Sequence, residues 1–209
     1  MARRVSFTGR FAELAPEQRR RSLTATLAAR PDEDGLWLFG YGSLMWDLPA
    51  PVAERRRARL EGWHRALCVW SALARGSPAT PGICLGLDRG GACEGLALRV
   101  DGPDLATRLT PVWEREMWTD VYQPEWVEVA TDAGVVGAVA FVVDRDSAQF
   151  TGRLGTDAVA RQIAEARGEK GSCRDYLAQA VAGLDQLGIA EPGLRAMLAR
   201  VATLPLSGR

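Results

Sequence analysis

Leu36-Trp37-Leu38-Phe39-Gly40-Tyr41-Gly42-Ser43-Leu44 is the stretch from which the rest of the chain is read. Its first five residues are an apolar run of strand length, short enough to lie buried on both faces. The run passes directly into Gly-Tyr-Gly. Two glycines around one bulky residue at a strand end indicate a tight turn with closely approached backbone. A turn of this kind exposes consecutive N–H groups, and such a nest binds a carboxylate or stabilises an oxyanion. It is not a phosphate loop, because the G-x-x-x-x-G-K-[ST] spacing and the third glycine of G-x-G-x-x-G are both missing. Ser43 is not a nucleophile elbow either, since Met45 stands where G-x-S-x-G has its last glycine. On spacing alone, a plain structural turn remains open.

Outward from this point, strand signals come first and helix signals last. A long strand is expected from about Arg57 to Ser71, with a bulge or bend near Gly62. Ile83, Leu85 and Leu87 alternate, Arg89-Gly90-Gly91 turns the chain, and Leu96, Leu98 and Val100 alternate again, which predicts a hairpin. Asp101-Gly102-Pro103-Asp104 opens a helical stretch to about Leu109. Thr110-Pro111 then restarts a helix that ends near Met117, with Thr110 as cap and Pro111 in the first turn. Residues 125–131 and 135–144 form a second hairpin around Asp132-Ala133-Gly134. The C-terminal third is helical. In its clearest segment, 172–187, Ser172 and Asp175 make a capping pattern and Gly188 stops the helix. Strands with one inserted helix, followed by helices, give an α+β class with a mainly antiparallel sheet or barrel.

Composition excludes several functions. The 209 residues suit one domain, or one domain with a short extension. Formal net charge is zero, which argues against a dedicated nucleic-acid binder. No apolar run reaches the roughly 18 residues of a membrane helix. Cys68, Cys84, Cys93 and Cys173 form no C-x-x-C pair and read as reduced structural thiols in a cytoplasmic protein. The single histidine, His64, lies in a strand-like run with no second histidine to join it, so it reads as structural or surface. Neither a zinc site nor His-based catalysis is expected. Residues 1–34 are a polar, arginine-rich extension with helix-favouring alanines near residues 25–29. Arginine dominates everywhere, however, since Lys170 is the only lysine among 26 basic side chains. No apolar core follows the basic start, so no signal peptide is read. No pattern speaks to oligomeric state.

Trp113-Glu114-Arg115-Glu116-Met117-Trp118 is the second informative segment. At helical spacing Trp113, Glu116 and Met117 share a face. Glu116 would then sit among large apolar groups at a helix C-terminus. Desolvation and the helix dipole would both raise its pKa, which suits a proton-transferring carboxylate. The other reading is a solvated glutamate beside Arg115. Glu114 faces elsewhere and should be exposed. Trp46 and Trp118 flank the two segments, and one of them could line a pocket.

Together these segments resemble the ChaC-like γ-glutamylcyclotransferases. The resemblance rests on residues 39–46, on Arg115-Glu116-Met117 with Tyr122 and Pro124-Glu125-Trp126, on Pro81-Gly82, and on the helix start at residues 171–177. It covers about residues 36 to 200. It implies a small mixed, largely antiparallel barrel of six strands with peripheral helices, in a catalytic domain spanning 35–209. It implies cleavage of glutathione to 5-oxoproline and cysteinyl-glycine through attack of the α-amine on the γ-carbonyl. No metal and no cofactor are implied, and the partner is a small γ-glutamyl peptide, with no nucleic acid and no membrane. The family's catalytic glutamate maps onto Glu116, its substrate-binding turn onto Tyr41, Gly42, Ser43 and Leu44, and a pocket tyrosine onto Tyr122 or Tyr176. One departure is Gly171-Ser172-Cys173-Arg174, where the family usually has a glycine- and asparagine-containing turn. It leaves Arg174 and Cys173 without an implied pocket role. A non-catalytic sensor of γ-glutamyl ligands is the alternative, and an intact Glu116 speaks against it.

Overall fold

The computed structural model describes residues 13–31 and 35–205. Their order is α1 (Pro16–Ala28), β1 (Leu36–Gly40), a 3₁₀ turn (Ser43–Met45), β2 (Glu54–Ser71), β3 (Gly82–Val100), α2 (Leu105–Glu116), β4 (Tyr122–Thr131) and β5 (Gly134–Val143). Then follow α3 (Thr156–Glu165), the two-residue strands β6 (Arg167–Gly168) and β7 (Gly171–Ser172), α4 (Cys173–Gln186) and α5 (Pro192–Ala202). The described chain divides into two compact units. One contains residues 13–31, 35–66 and 87–147, and the other contains 67–86 and 148–205.

The first unit holds the barrel, whose strands run in the order β1-β3-β2-β4-β5. β1 pairs antiparallel with β3, from Leu36 opposite Val100 to Gly40 opposite Leu96. β4 and β5 form a hairpin from Tyr122 opposite Val143 to Thr131 opposite Gly134. A parallel contact closes the barrel, with Trp37 and Leu38 of β1 beside Ala138 and Val139 of β5. Small residues at 58, 97, 138 and 140 let Phe39, Leu60, Leu87, Val129 and Val142 fill the interior. Burying each of those large side chains contributes about 1.5–3 kcal/mol.

The α+β class holds, but the barrel has five strands and not six. Residues 83–87 and 96–100, expected as two arms of a hairpin, belong to one long strand, β3. Gly90 and Gly91 adopt φ of +102° and +71°, and they bend the strand without reversing it. A bulge and a hairpin turn both draw on left-handed glycines, so the local sequence cannot separate them. The bend expected near Gly62 is present, at φ +81°. His64 follows it and donates from Nδ1 to the Gly90 carbonyl at 3.0 Å, a structural role.

α2 is also a single helix where two were expected. Asp104 caps it from a left-handed conformation (φ 58°), accepting from the Thr107 N–H at 3.4 Å. Thr110 caps nothing; its hydroxyl donates back to the Ala106 carbonyl at 2.9 Å. Pro111 lies inside the helix, where the buried row Leu105, Leu109, Val112 and Trp113 outweighs its missing N–H. Trp113 meets the Phe141 ring edge-on, with centroids 5.1 Å apart. α1, from the N-terminal extension, packs beside α2. The Trp113 indole donates to Ser22 Oγ at 3.2 Å and the Trp126 indole to the Thr26 carbonyl at 3.3 Å. Just before α1, the Leu14 N–H donates to the Trp118 carbonyl at 3.0 Å.

The second unit contains helices α3, α4 and α5 packed on one another. Ser172 caps α4 as expected, accepting from the Asp175 N–H at 3.1 Å. The loop after β2 is wedged between glycines. A Cβ on Gly76 would lie 2.1 Å from the Gly82 nitrogen, one on Gly82 2.4 Å from the Arg75 carbonyl oxygen, and one on Gly168 2.2 Å from the Leu73 carbonyl oxygen. The N–H groups of Glu169 and Lys170 bond the Leu73 and Ala74 carbonyls, each at 2.9 Å. None of the four cysteines forms a disulfide. No described helix is long and apolar enough to cross a membrane.

Candidate active site

The turn after β1 is held from beneath. Tyr41 is 6% exposed, and its hydroxyl donates to the Phe141 carbonyl at 2.9 Å inside the barrel. Leu44 and Met45 are buried as well. Of the expected turn residues, Tyr41 and Leu44 therefore spend their side chains on the core, and only their backbone can face a ligand. Gly42 (φ −142°) is not in the left-handed region, so glycine is not required there by its φ angle. What glycine provides is space: a Cβ at Gly42 would meet no other atom within 4 Å. The amides of Met45, Trp46 and Asp47 turn inward, bonding the Gly42 carbonyl at 3.0 Å and the Ser43 carbonyl at 3.2 and 2.8 Å. Residues 42–44 open this short helical turn, and the first N–H groups of a helix lie outside its own ladder.

Glu116 is the last residue of α2, between buried Trp113 and Met117, and its side chain is 14% exposed. Glu114 is exposed, as expected. The Arg115 side chain joins the Glu116 carboxylate to the loop after the turn. Its Nε donates to Glu116 Oε1 at 3.0 Å, while Nη1 reaches the Asp47 carbonyl at 2.6 Å and Asp47 Oδ2 at 3.2 Å. Nη2 is buried with no partner among the described residues. One guanidinium thus ties the candidate carboxylate to the end of the glycine turn. Glu116 is mostly buried and paired with the Arg115 guanidinium.

The two motifs share a second anchor. Trp113 of α2 packs on the Phe141 ring, and Tyr41 of the turn bonds the Phe141 carbonyl. Residues some seventy positions apart are therefore registered on one residue of β5. Two further arginines, both on β2, bond carbonyls of the turn. Arg65, 7% exposed, donates from Nε to the Tyr41 carbonyl and from Nη2 to the Glu94 carbonyl at 2.6 Å. Arg55 Nη1 donates to the Met45 carbonyl at 3.1 Å. A buried arginine in an alternating strand pattern is the only signal that could have found Arg65.

Tyr122 begins β4, six residues beyond Glu116, and is partly buried. Trp46 and Trp118 are 40% and 41% exposed. Tyr176 belongs to the second unit. Its hydroxyl accepts from the Leu85 N–H at 3.0 Å, and the Arg75 guanidinium lies 5.5 Å from its ring centroid. The residues of the divergent turn have structural partners. Arg174 donates to the carbonyls of Ala164, Val201 and Leu204 at 2.9–3.1 Å, and Cys173 Sγ exchanges hydrogen bonds with the Ile83 backbone. Among the described residues, no group of three or more His, Cys, Asp and Glu side chains is placed to hold a metal ion.

A family model described as ChaC-like protein matches residues 36–204. The chain belongs to the ChaC-like family. It is 39% identical over 189 residues to the glutathione-specific γ-glutamylcyclotransferase of Escherichia coli (strain K12), covering 90% of this chain and 82% of that relative. It is 30% identical over 152 residues to the human glutathione-specific γ-glutamylcyclotransferase 1, covering 70% and 68% of the two chains. Among solved structures, the crystal structure of a glutathione-specific γ-glutamyl cyclotransferase from yeast gives a TM-score of 0.72 at 22% identity. That match covers 81% of this chain and 96% of the other. At that identity the likeness is one of fold, and it places the barrel of this ChaC-like protein among γ-glutamylcyclotransferase folds.

Proposed function

We propose that this ChaC-like protein is a γ-glutamylcyclotransferase that cleaves glutathione, releasing 5-oxoproline and cysteinyl-glycine. The observation that carries this reading is the Arg115 bridge, which fastens the Glu116 carboxylate to the loop that follows the glycine turn. The similarity to glutathione-specific relatives over most of the chain supports the substrate.

The chemistry follows from these groups. The γ-glutamyl α-ammonium must lose a proton before its nitrogen can attack the γ-carbonyl, and an ionised Glu116 accepts it. Arg115 favours that ionised form. The amine then closes a five-membered ring, and the tetrahedral oxyanion is met by the N–H groups of residues 42–44. Collapse breaks the γ-amide C–N bond as Glu116 returns its proton to the departing nitrogen; the second proton of the attacking nitrogen passes through solvent to that amine, leaving the neutral 5-oxoproline lactam and the ammonium of cysteinyl-glycine. The ring closure is intramolecular, so holding the folded conformer contributes much of the acceleration. The sequence of steps asks for one carboxylate and a set of donors, which supports a reaction independent of metal. A pocket tyrosine is assigned, on the family resemblance, to Tyr122 or Tyr176. Four cysteines, none of them in a disulfide, support a reducing, cytoplasmic setting.

Incubation with glutathione, reading 5-oxoproline, tests this directly. Glutathione should be turned over with a higher kcat/KM than γ-glutamyl-alanine, and N-acetyl-glutathione should be inert because its nitrogen cannot attack. Turnover of the N-blocked peptide would overturn the mechanism. A better substrate than glutathione would overturn only the specificity.

A further inference from the structure

We infer that Arg65 is a positioning residue for the reaction: it aims the Gly42 N–H at the oxygen that becomes negative, and Arg55 and Arg115 hold the rest of the turn in the same manner. The inference rests on the γ-glutamylcyclotransferase reading above.

Three guanidinium groups grip three carbonyls of one short loop. Arg65 takes Tyr41, Arg55 takes Met45 and Arg115 takes Asp47. The Tyr41 carbonyl and the Gly42 N–H belong to one peptide plane, and the peptide is trans. Fixing the carbonyl on the Arg65 side therefore points the N–H the opposite way. On Gly42 itself a side chain would find open space, so the backbone there can be approached closely. A charge-assisted bond to the carbonyl also polarises the peptide and strengthens its N–H as a donor.

The choice of residue fits this role. Arg65 spans two carbonyls, Tyr41 and Glu94, and so locks the turn to β3 with one rigid fork. Lysine lacks that planar fork. Burying a guanidinium to 7% exposure is costly, and a turn needed only for chain reversal can be closed by backbone bonds alone. Holding the loop through its carbonyls leaves the opening amides on the other side for a ligand.

The test uses the full chain with Arg65→Lys and Arg65→Gln. The readouts are kcat and KM for glutathione, normalised to folded protein, and the glutathione Kd measured in the inactive Glu116→Gln background. Arg65→Gln should lower kcat on the order of 10²-fold. The Kd should move by less than about threefold, because oxyanion donors act in the transition state and not on the bound peptide. Arg65→Lys should recover part of kcat, since it keeps the charge and one donor. A kcat per folded molecule within about threefold of wild type, or a loss confined to KM, would overturn the inference. If neither Arg65 variant folds, exposed Arg55→Gln takes its place. It should lower kcat several-fold at constant KM, and an unchanged kcat would overturn the inference equally. A wild-type chain that releases no 5-oxoproline would sink the functional reading itself, and this inference with it. Active wild type with equally active variants would sink the positioning role alone.

Discussion

The loop after β1 and the loop after β2 are both tight, and they are fastened by opposite means. In the second, N–H groups of residues 169 and 170 bond the loop carbonyls, and glycines at 76, 82 and 168 let backbone touch backbone. In the first, side chains of Arg55, Arg65 and Arg115 take the carbonyls, and the one glycine at its centre faces open space. The contrast separates two uses of glycine that look identical in sequence. At 76, 82 and 168 glycine makes room for the protein. At 42 no other part of the described protein fills the space beside it.

The strongest way to break this comparison is to remove the group that the side-chain-held loop serves. Glu116→Gln should lower kcat by 10²-fold or more, with melting temperature and glutathione affinity nearly unchanged, because the amide keeps the shape and cannot exchange the proton. Retention of more than about a tenth of the activity would remove Glu116 from the acid/base role. The next contrast sets one loop against the other. Gly42→Val should lower kcat/KM by at least about tenfold while the melting temperature falls only slightly, measured by calorimetry and steady-state kinetics. Gly76→Ala should do the reverse. Its Cβ must displace backbone, an overpacking of about 1–3 kcal/mol, so the melting temperature should drop by roughly 2–12 °C. If Gly42→Val unfolds the chain and Gly76→Ala does not, the two glycines have been misassigned.

Smaller effects sharpen the picture. Burial pushes the Cys84 thiol up to about 11, with Ser71 and Arg75 pulling the other way, and burial raises Cys173 further. At pH 8 both then lie below their pKa and hold almost no thiolate. Iodoacetamide at that pH should leave them unlabelled by mass spectrometry and leave turnover unchanged, and labelling should rise only as the pH approaches 11. Exhaustive chelation should likewise leave turnover intact, and loss restored by added zinc would refute the metal-independent route. Glu114→Gln, on the exposed face of α2, should change neither kcat/KM nor stability measurably.

What could be read in advance divides along physical lines. The α+β class, the β4–β5 hairpin, the Ser172 cap and the shared face of Trp113, Glu116 and Met117 depend on neighbours within a few residues, and local pattern carries them. The single strand through Gly90-Gly91 depends on which strands each half pairs with, and alternation on both sides of a glycine pair looks the same for a hairpin and a bend. Pro111 argued for two helices locally, and the packing of Leu109, Val112 and Trp113 kept one. At the candidate site, the residue types at 41–44 and 116 stand out in the sequence. The bonds that Arg65 and Arg115 make do not, because an arginine that reaches distant carbonyls looks like any other in a chain with only one lysine.

The packing of α1 has a practical consequence for anyone trimming the gene. The family match begins at residue 36, yet Ser22 and Thr26 receive the indole protons of Trp113 and Trp126, and Leu23 is 5% exposed. A chain cut at that border would strip the cover from two chromophores, so a red-shifted, more quenchable tryptophan emission would report the damage before any assay did. The border of the family match and the border that folding respects are different lines in this molecule.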